Sequence, residues 1–345
     1  MNELNLVSGS AYWLPVIFSG LMVLAFFIYA ILDGYDLGVG ILLPMQHEPQ
    51  RDIMIASIGP FWDANETWLV LGVGIMLIAF PAAHSLVLFH LYMPVTIMLA
   101  GLILRGVAFD FRAKAPQDHK TLWDRLFKLG SVLATLAQGY MLGIYVMGFE
   151  ASLWAYLFAC LSAICVTAGY SFIGGAWLTM KTEGELQQRA VVWTRRCGYL
   201  TALGIGLVSV VNPLISPAIF AKWFSGSNWL FLLIIPILCG GLFLAVMIFL
   251  RRFGRSEENR QRLEPLSWAP FVAVAGIFLL CFIGLSISFF PYIVPNQLTI
   301  WQAASAAESL QFILYGVILV LPTIVLYTLF AYRIFWGKAT QLNYY

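Results

Sequence analysis

The chain has 345 residues, 61% of them hydrophobic and 10% charged, with a formal net charge of +2 and a mean hydropathy of +0.85. Soluble domains carry about 25% charged residues, so the composition excludes a water-soluble globular protein. The small basic excess sits in short loops that suit anionic lipid and excludes a nucleic-acid surface.

An α-helix needs about 20 apolar residues to cross a hydrocarbon core of about 30 Å. Nine such runs are predicted, at 12–33, 62–83, 86–108, 127–147, 152–178, 198–219, 229–250, 269–290 and 309–335. The fold class is therefore an all-α integral membrane protein, a single polytopic domain over 1–345. Its approximate halves, 1–180 and 197–345, are joined by a basic loop from Lys181 to Arg196. The first run is too long for a signal-peptide core and lacks a basic leader, so it reads as a mature helix. Lys and Arg gather at alternate helix ends, and of nineteen basic residues only Lys222 falls on the other side. Short cytoplasmic loops collect such residues, which predicts an N-terminus outside and a C-terminus in the cytoplasm.

The first run ends on Asp33-Gly34-Tyr35-Asp36, and the second opens on Trp62-Asp63-Ala64-Asn65-Glu66. An ionised Asp at the centre of a membrane helix costs roughly 2.5 to 3.5 kcal/mol, so carboxylates here are functional candidates. Each pair is spaced three apart and shares a helix face, where like charges repel unless a cation or a proton intervenes. Arg105, closing the third run, is the candidate cation. A carboxylate that changes protonation beside Asn65 and water would make a proton relay. Two static readings compete: Asp63 favouring the positive end of its helix dipole, and Asp36 clamped to Arg105. Trp62 and Trp68 read as interface anchors or as a stacking surface for a quinone ring. Gly34, Gly38, Gly40, Gly72 and Gly74 favour close helix packing over backbone approach to a cofactor.

His84 and His90 in the third region lie six apart on different helix faces, with His84 expected in the external turn, and make no chelating pair. His47 and His119 fall in polar loops. The cytoplasmic segment around Asp110 to Arg125 and the external one from Pro291 to Ser305 are the longest predicted loops. Five cysteines, Cys160, Cys165, Cys197, Cys239 and Cys281, include no CxxC pair, so no metal site and no disulfide framework is expected. Pro291 and Pro295 end the eighth run. The stretch Leu298 to Leu310 suits a short interfacial helix, with Tyr292 and Trp301 in an aromatic belt.

Several stretches, taken in order, resemble subunit II of the cytochrome bd quinol oxidases, including the cyanide-insensitive branch. They are Leu32 to Gly40, Gly59 to Leu69, Arg105 to Arg112, Phe290 to Pro295, Leu298 to Ser305, and Pro322 with Tyr327. The resemblance implies nine helices in two four-helix bundles plus one, a periplasmic N-terminus, and a multi-pass place in the bacterial inner membrane. It also implies a heterodimer with a haem-bearing subunit I, which holds haem b and haem d and oxidises quinol. A small third subunit and membrane lipids are further partners to expect, and some members carry a structural quinone in subunit II. No catalytic residue is expected in this chain. Asp36 and Asp63 stand at positions matching a proton-uptake route, with Asp33 and Glu66 completing the candidate path and Trp62, Asn65 and Arg105 as polar support. Glu66 and Thr67 stand where branches of the family differ, so the resemblance assigns Glu66 no role. Two other functions remain open on the residues alone: a proton-coupled secondary transporter, with its carboxylates near the midplane, and a purely structural scaffold.

Overall fold

The computed structural model describes residues 9–215, 217–225 and 229–339. Helix α1 (Ser10–Leu42) has 33 residues and spans roughly 50 Å at 1.5 Å per residue. It outruns a hydrocarbon core, so Asp33 and Asp36 sit in its final third. After it come α2 (Glu48–Ile58), α3 (Trp62–Ala79), α4 (Pro81–Lys114), α5 (Gln117–Val146), α6 (Leu153–Lys181) and α7 (Gly184–Ile215). Short α8 (Pro217–Phe220), a π-helical turn Ala221–Ser225 and α9 (Trp229–Leu232) lead into α10 (Ile234–Phe253). A polar helix α11 (Glu257–Leu263), α12 (Ala269–Phe289), an antiparallel pair β1 (Tyr292–Val294) and β2 (Leu298–Thr299), α13 (Ile300–Ala303) and α14 (Ala307–Ile334) complete the chain.

Eight of these helices are long and apolar enough to cross a membrane. The predicted run at 62–83 corresponds to α3, which falls outside the eight because Asp63, Asn65 and Glu66 occupy its opening turns. Helices α4, α5, α6 and α1 pack side by side; α7, α10 and α12 cover the other flank of α6 and α1, and α3 and α14 lie along α1. Of α14 only Leu310 is buried.

Three predicted loops are corrected. The segment Asp110 to Arg125 is helical on both sides of a turn at Ala115 and Pro116, and Lys181 to Arg196 is interrupted only at Thr182 and Glu183. Hydropathy marks where apolar sequence stops, whereas Lys, Arg, Glu and Gln are good helix formers and carry the helices past that point. His84 lies in the first turn of α4, not in a turn between helices, because Phe80 alone separates α3 from α4. In place of an interfacial helix over Leu298 to Leu310, Thr299 and Gln302 form a reciprocal capping box for the single turn of α13. The chain then extends, and Ser305 gives its N–H to Ala79 O at 2.9 Å and its hydroxyl to Ile78 O at 2.6 Å. Those carbonyls end α3 and have no partner within the helix.

Helix α2 was not foreseen by hydropathy because it lies outside the apolar runs. Arg51 Nε donates to Asp124 Oδ2 at 2.6 Å, Arg112 Nε to Asp124 Oδ1 at 2.5 Å, and Arg112 Nη2 to Asp52 Oδ1 at 2.5 Å. This ladder ties α2 to the ends of α4 and α5. Lys128 caps the end of α1 through Leu43 O at 2.9 Å. The connector from Leu43 to Phe61 is thereby held, and with it the spacing between the two acidic motifs.

Small residues set the helix spacing, as expected for Gly34, Gly38, Gly40 and Gly72; open space surrounds Gly74, which does not share that role. The tightest approach is α1 on α6, where a Cβ at Gly38 would lie 1.9 Å from Tyr170 O and one at Gly174 2.6 Å from Gly38 C. Backbone cannot yield there as a flexible side chain would. Gly38→Ala is therefore expected to cost more than the usual overpacking of about 1 to 3 kcal/mol and to sharply lower the yield of folded protein. A thermal midpoint within a few degrees of wild type would refute this contact.

Candidate functional site

Asp33 and Asp36, on α1, are both fully buried. Three residues around a helix is about 300°, so the two carboxylates diverge by about 60° and by most of a turn along the axis. Asp33 lies level with Arg105 of α4. Asp36 lies level with Asn65 of α3.

Arg105 is 1% exposed. Its Nη2 is 2.7 Å from Asp33 Oδ1, an ion contact off hydrogen-bond alignment, and it also donates to Glu66 Oε1. Trp62 covers the guanidinium at 5.9 Å from the ring centroid. Small residues bring α5 up behind it, since a Cβ on Gly130 would meet the Arg105 backbone nitrogen at 2.8 Å. The alternative of a static pair between Asp36 and Arg105 is therefore corrected: Arg105 pairs with Asp33 and Glu66.

Asp36 Oδ2 instead accepts from Asn65 Nδ2 at 2.7 Å, while Asp36 Oδ1 has no hydrogen-bond partner. The same Asn65 nitrogen lies 3.0 Å from Tyr35 Oη and 3.3 Å from Leu32 O. Tyr35 Oη is 2.6 Å from Tyr332 Oη, and the Tyr332 hydroxyl reaches Asn65 Oδ1 at 3.3 Å. Tyr35 stacks on Trp177 and Tyr332 on Phe61, with ring centroids 4.1 and 4.4 Å apart. A further polar string runs into the bundle beside Asp33. Tyr170 donates to Gln138 Oε1 at 2.9 Å, and Gln138 Nε2 donates to Tyr29 Oη at 2.7 Å.

The second acidic motif is split. Glu66 turns inward to Arg105, whereas Asp63 is exposed on the chain's surface, so the two do not act as one pair. The 60° offset between positions three apart is enough to put one side chain on each side of the helix's rim. Sequence reasoning missed Tyr29, Tyr35, Gln138, Tyr170 and Tyr332. Gln138, a lone amide in the apolar run of α5, was the one visible signal among them.

Taken together, one guanidinium contacts the carboxylates of Asp33 and Glu66 while Asn65 holds that of Asp36, in a site closed by aromatic rings. Unpaired buried charge is costly, and the arginine offsets part of that cost for the carboxylates it contacts. Among the described residues no group of three or more His, Cys, Asp or Glu could hold a metal ion. His90, exposed on α4, holds its Nδ1 against Leu86 O at 2.9 Å and stacks on Phe149 with ring centroids 4.7 Å apart. An apolar groove of about 580 Å³ lies between α1, α3 and α14. Its lining side chains include polar atoms only on Trp68 and Tyr315.

A family model described as cytochrome bd terminal oxidase subunit II matches residues 14–335. Cytochrome bd-I ubiquinol oxidase subunit 2 of Escherichia coli K12 is 27% identical over 377 residues, covering 96% of this chain and 94% of its own. Cytochrome bd ubiquinol oxidase subunit 2 of Bacillus subtilis 168 is 27% identical over 328 residues, covering 88% and 90%. Among solved structures, a chain of the bd oxidase from Geobacillus thermodenitrificans superposes with a TM-score of 0.72 at 20% identity, over 91% of this chain and 97% of that one. This last likeness speaks for the fold.

Proposed function

The chain belongs to the family of subunit II of the cytochrome bd terminal oxidases, and we propose that it supplies the cytoplasmic part of that oxidase's proton-uptake path. It is one subunit of an oxidoreductase complex, paired with a subunit I, and the family implies haem cofactors in the complex and quinol as its substrate. Family membership removes the transporter reading.

Reducing oxygen to water consumes protons, and taking them from the cytoplasm while quinol releases its own outside builds a proton gradient. The haems b and d, in subunit I, supply electron transfer and oxygen reduction. This chain's share is to bring protons to that partner. In our reading α3 is the ninth crossing, the nine form two four-helix bundles and one extra helix, the N-terminus is periplasmic, and the membrane is the bacterial inner one. The basic ladder of Arg51 and Arg112 then marks the cytoplasmic end, next to the acidic cluster. Asp63, exposed on this chain, faces the partner or the aqueous boundary.

The observation that carries the reading is Asp36: a fully buried carboxylate with one oxygen unpartnered, beside an arginine already engaged by two other carboxylates. A group placed so is bonded through one oxygen to Asn65 and has the other free to carry a proton. The scaffold reading draws its own support from the Arg105 contacts to Asp33 and Glu66, so both a clamp and a relay are built into one site. The apolar groove against α14 suits an isoprenoid or acyl chain, and it lacks the paired polar groups that would hold the carbonyls of a quinone ring.

The purified chain is expected to carry a haem-bearing partner with it, visible as a reduced-minus-oxidised difference spectrum. A colourless chain that binds a solute by itself would end the oxidase reading.

A further inference from the structure

Tyr332 comes from the last helix and meets the first two acidic motifs almost 300 residues away in sequence; its contact with Tyr35 spans 297 positions. The hydrogen-bond directions form a closed ring across three helices. Asn65 Nδ2 donates to the Tyr35 oxygen, which leaves the Tyr35 proton for Tyr332, whose own proton reaches Asn65 Oδ1. Asn65 Nδ2 also holds Asp36 Oδ2, so the ring touches the buried carboxylate directly. Among the described residues Asn65 is the one side chain hydrogen-bonded to Asp36. At the other side of the ring, Tyr332 is half-buried and stands next to Arg333 at the end of α14.

The end of α14 is strapped in place. Lys181 Nζ donates to Phe335 O at 2.6 Å, Ala339 N donates to Lys181 O at 2.7 Å, and Lys338 pairs with Glu264. This holds the Tyr332 ring on Phe61 and its hydroxyl against Tyr35.

We propose that the hydroxyls of Tyr35 and Tyr332 form the gate through which Asp36 exchanges its proton with the cytoplasmic end of the subunit. The inference rests on the proton-uptake reading above and goes beyond it by naming the carriers. Transfer starts with the hydroxyl pair turned the other way, Tyr332 donating to Tyr35, which their 2.6 Å contact equally allows; a proton taken up at the Tyr332 oxygen then releases the Tyr332 hydrogen to the Tyr35 oxygen. Tyr35 passes its own hydrogen to Asp36 Oδ1 through a bridging water. Each hydroxyl finishes with one hydrogen and the pair then donates from Tyr35 to Tyr332, the sense of the closed ring with Asn65, so no charge remains on either tyrosine. Return to the original sense resets the gate once Asp36 has passed its proton on. The buried, unpartnered Asp36 Oδ1 is the acceptor this scheme requires. Phe61 and Trp177 keep bulk water from the ring by stacking on its two phenols.

The test uses the assembled oxidase, with Tyr332→Phe and Tyr35→Phe made separately and Asp36→Asn as the comparison. Phenylalanine keeps each stacked ring and removes only the hydroxyl. Both variants are expected to assemble with normal haem content and to turn over at least about tenfold more slowly per haem, with a larger solvent isotope effect in deuterated water. If Asp36→Asn is slow while both phenylalanine variants keep wild-type turnover per haem and isotope effect, the gate is overturned and the route through Asp36 stands. If Asp36→Asn itself turns over normally, the route fails and the gate with it. Variants that lose haem content but keep turnover per haem would show that the hydroxyls serve assembly alone, which also overturns the proposal.

Discussion

Arg105→Leu is expected to leave almost no assembled oxidase in the membrane. The guanidinium holds Asp33 and Glu66 and is itself 1% exposed, so its removal strands Asp33 in a fully buried site with no cation. Breaking a buried ion pair from one side costs about 3 to 5 kcal/mol, a large share of the roughly 5 to 15 kcal/mol that stabilises a typical native fold. Haem content per milligram of membrane, read from difference spectra, measures the loss. The triple variant Arg105→Leu with Asp33→Asn and Glu66→Gln removes the stranded charges and is expected to recover most of the assembly. Recovery would assign the arginine's structural role to charge balance; a triple variant as poor as the single one would show that its packing against Trp62 matters more.

Asp36→Asn makes the opposite prediction, normal assembly with slow chemistry. The amide is nearly isosteric, and its oxygen can still accept from Asn65 Nδ2, so the contact at 2.7 Å survives. What disappears is the exchangeable proton. Loss of a positioned acid or base typically costs about 10² to 10⁴ in rate, and a fall in oxygen consumption per haem of about a hundredfold is expected with unchanged spectra. Wild-type turnover in a fully assembled variant would remove Asp36 from the proton path and leave the cluster as a scaffold. Arg105 and Asp36 thus separate the two roles that share this site, one read in assembly and the other in rate.

The two acidic motifs were legible because carboxylates in apolar helices are conspicuous, and the basic loops placed them at one end of the bundle. Their partners were not legible. A spacing of three says that Asp33 and Asp36 share a broad face, but the 60° between them decides which one Arg105 reaches, and that depends on where α4 is held against α5 by the close contacts at Gly101 and Gly130. Tyr332 gave no warning because a tyrosine near the end of a membrane helix ordinarily reads as an interface anchor. Loop segments were misjudged for a related reason: hydropathy reports solvent, whereas the helix continues wherever its backbone hydrogen bonds do.

Composition alone determined that this is a multi-pass helical protein, since a chain this apolar must satisfy its backbone inside helices when it leaves water. Residue order, through its motifs, carried the resemblance to the oxidase subunit. Only the tertiary structure decided which carboxylate is clamped and which is left without a partner, because that choice turns on differences of a few ångströms between side chains from α1, α3, α4 and α14. Such distances arise where helices cross, and no spacing within one helix encodes them.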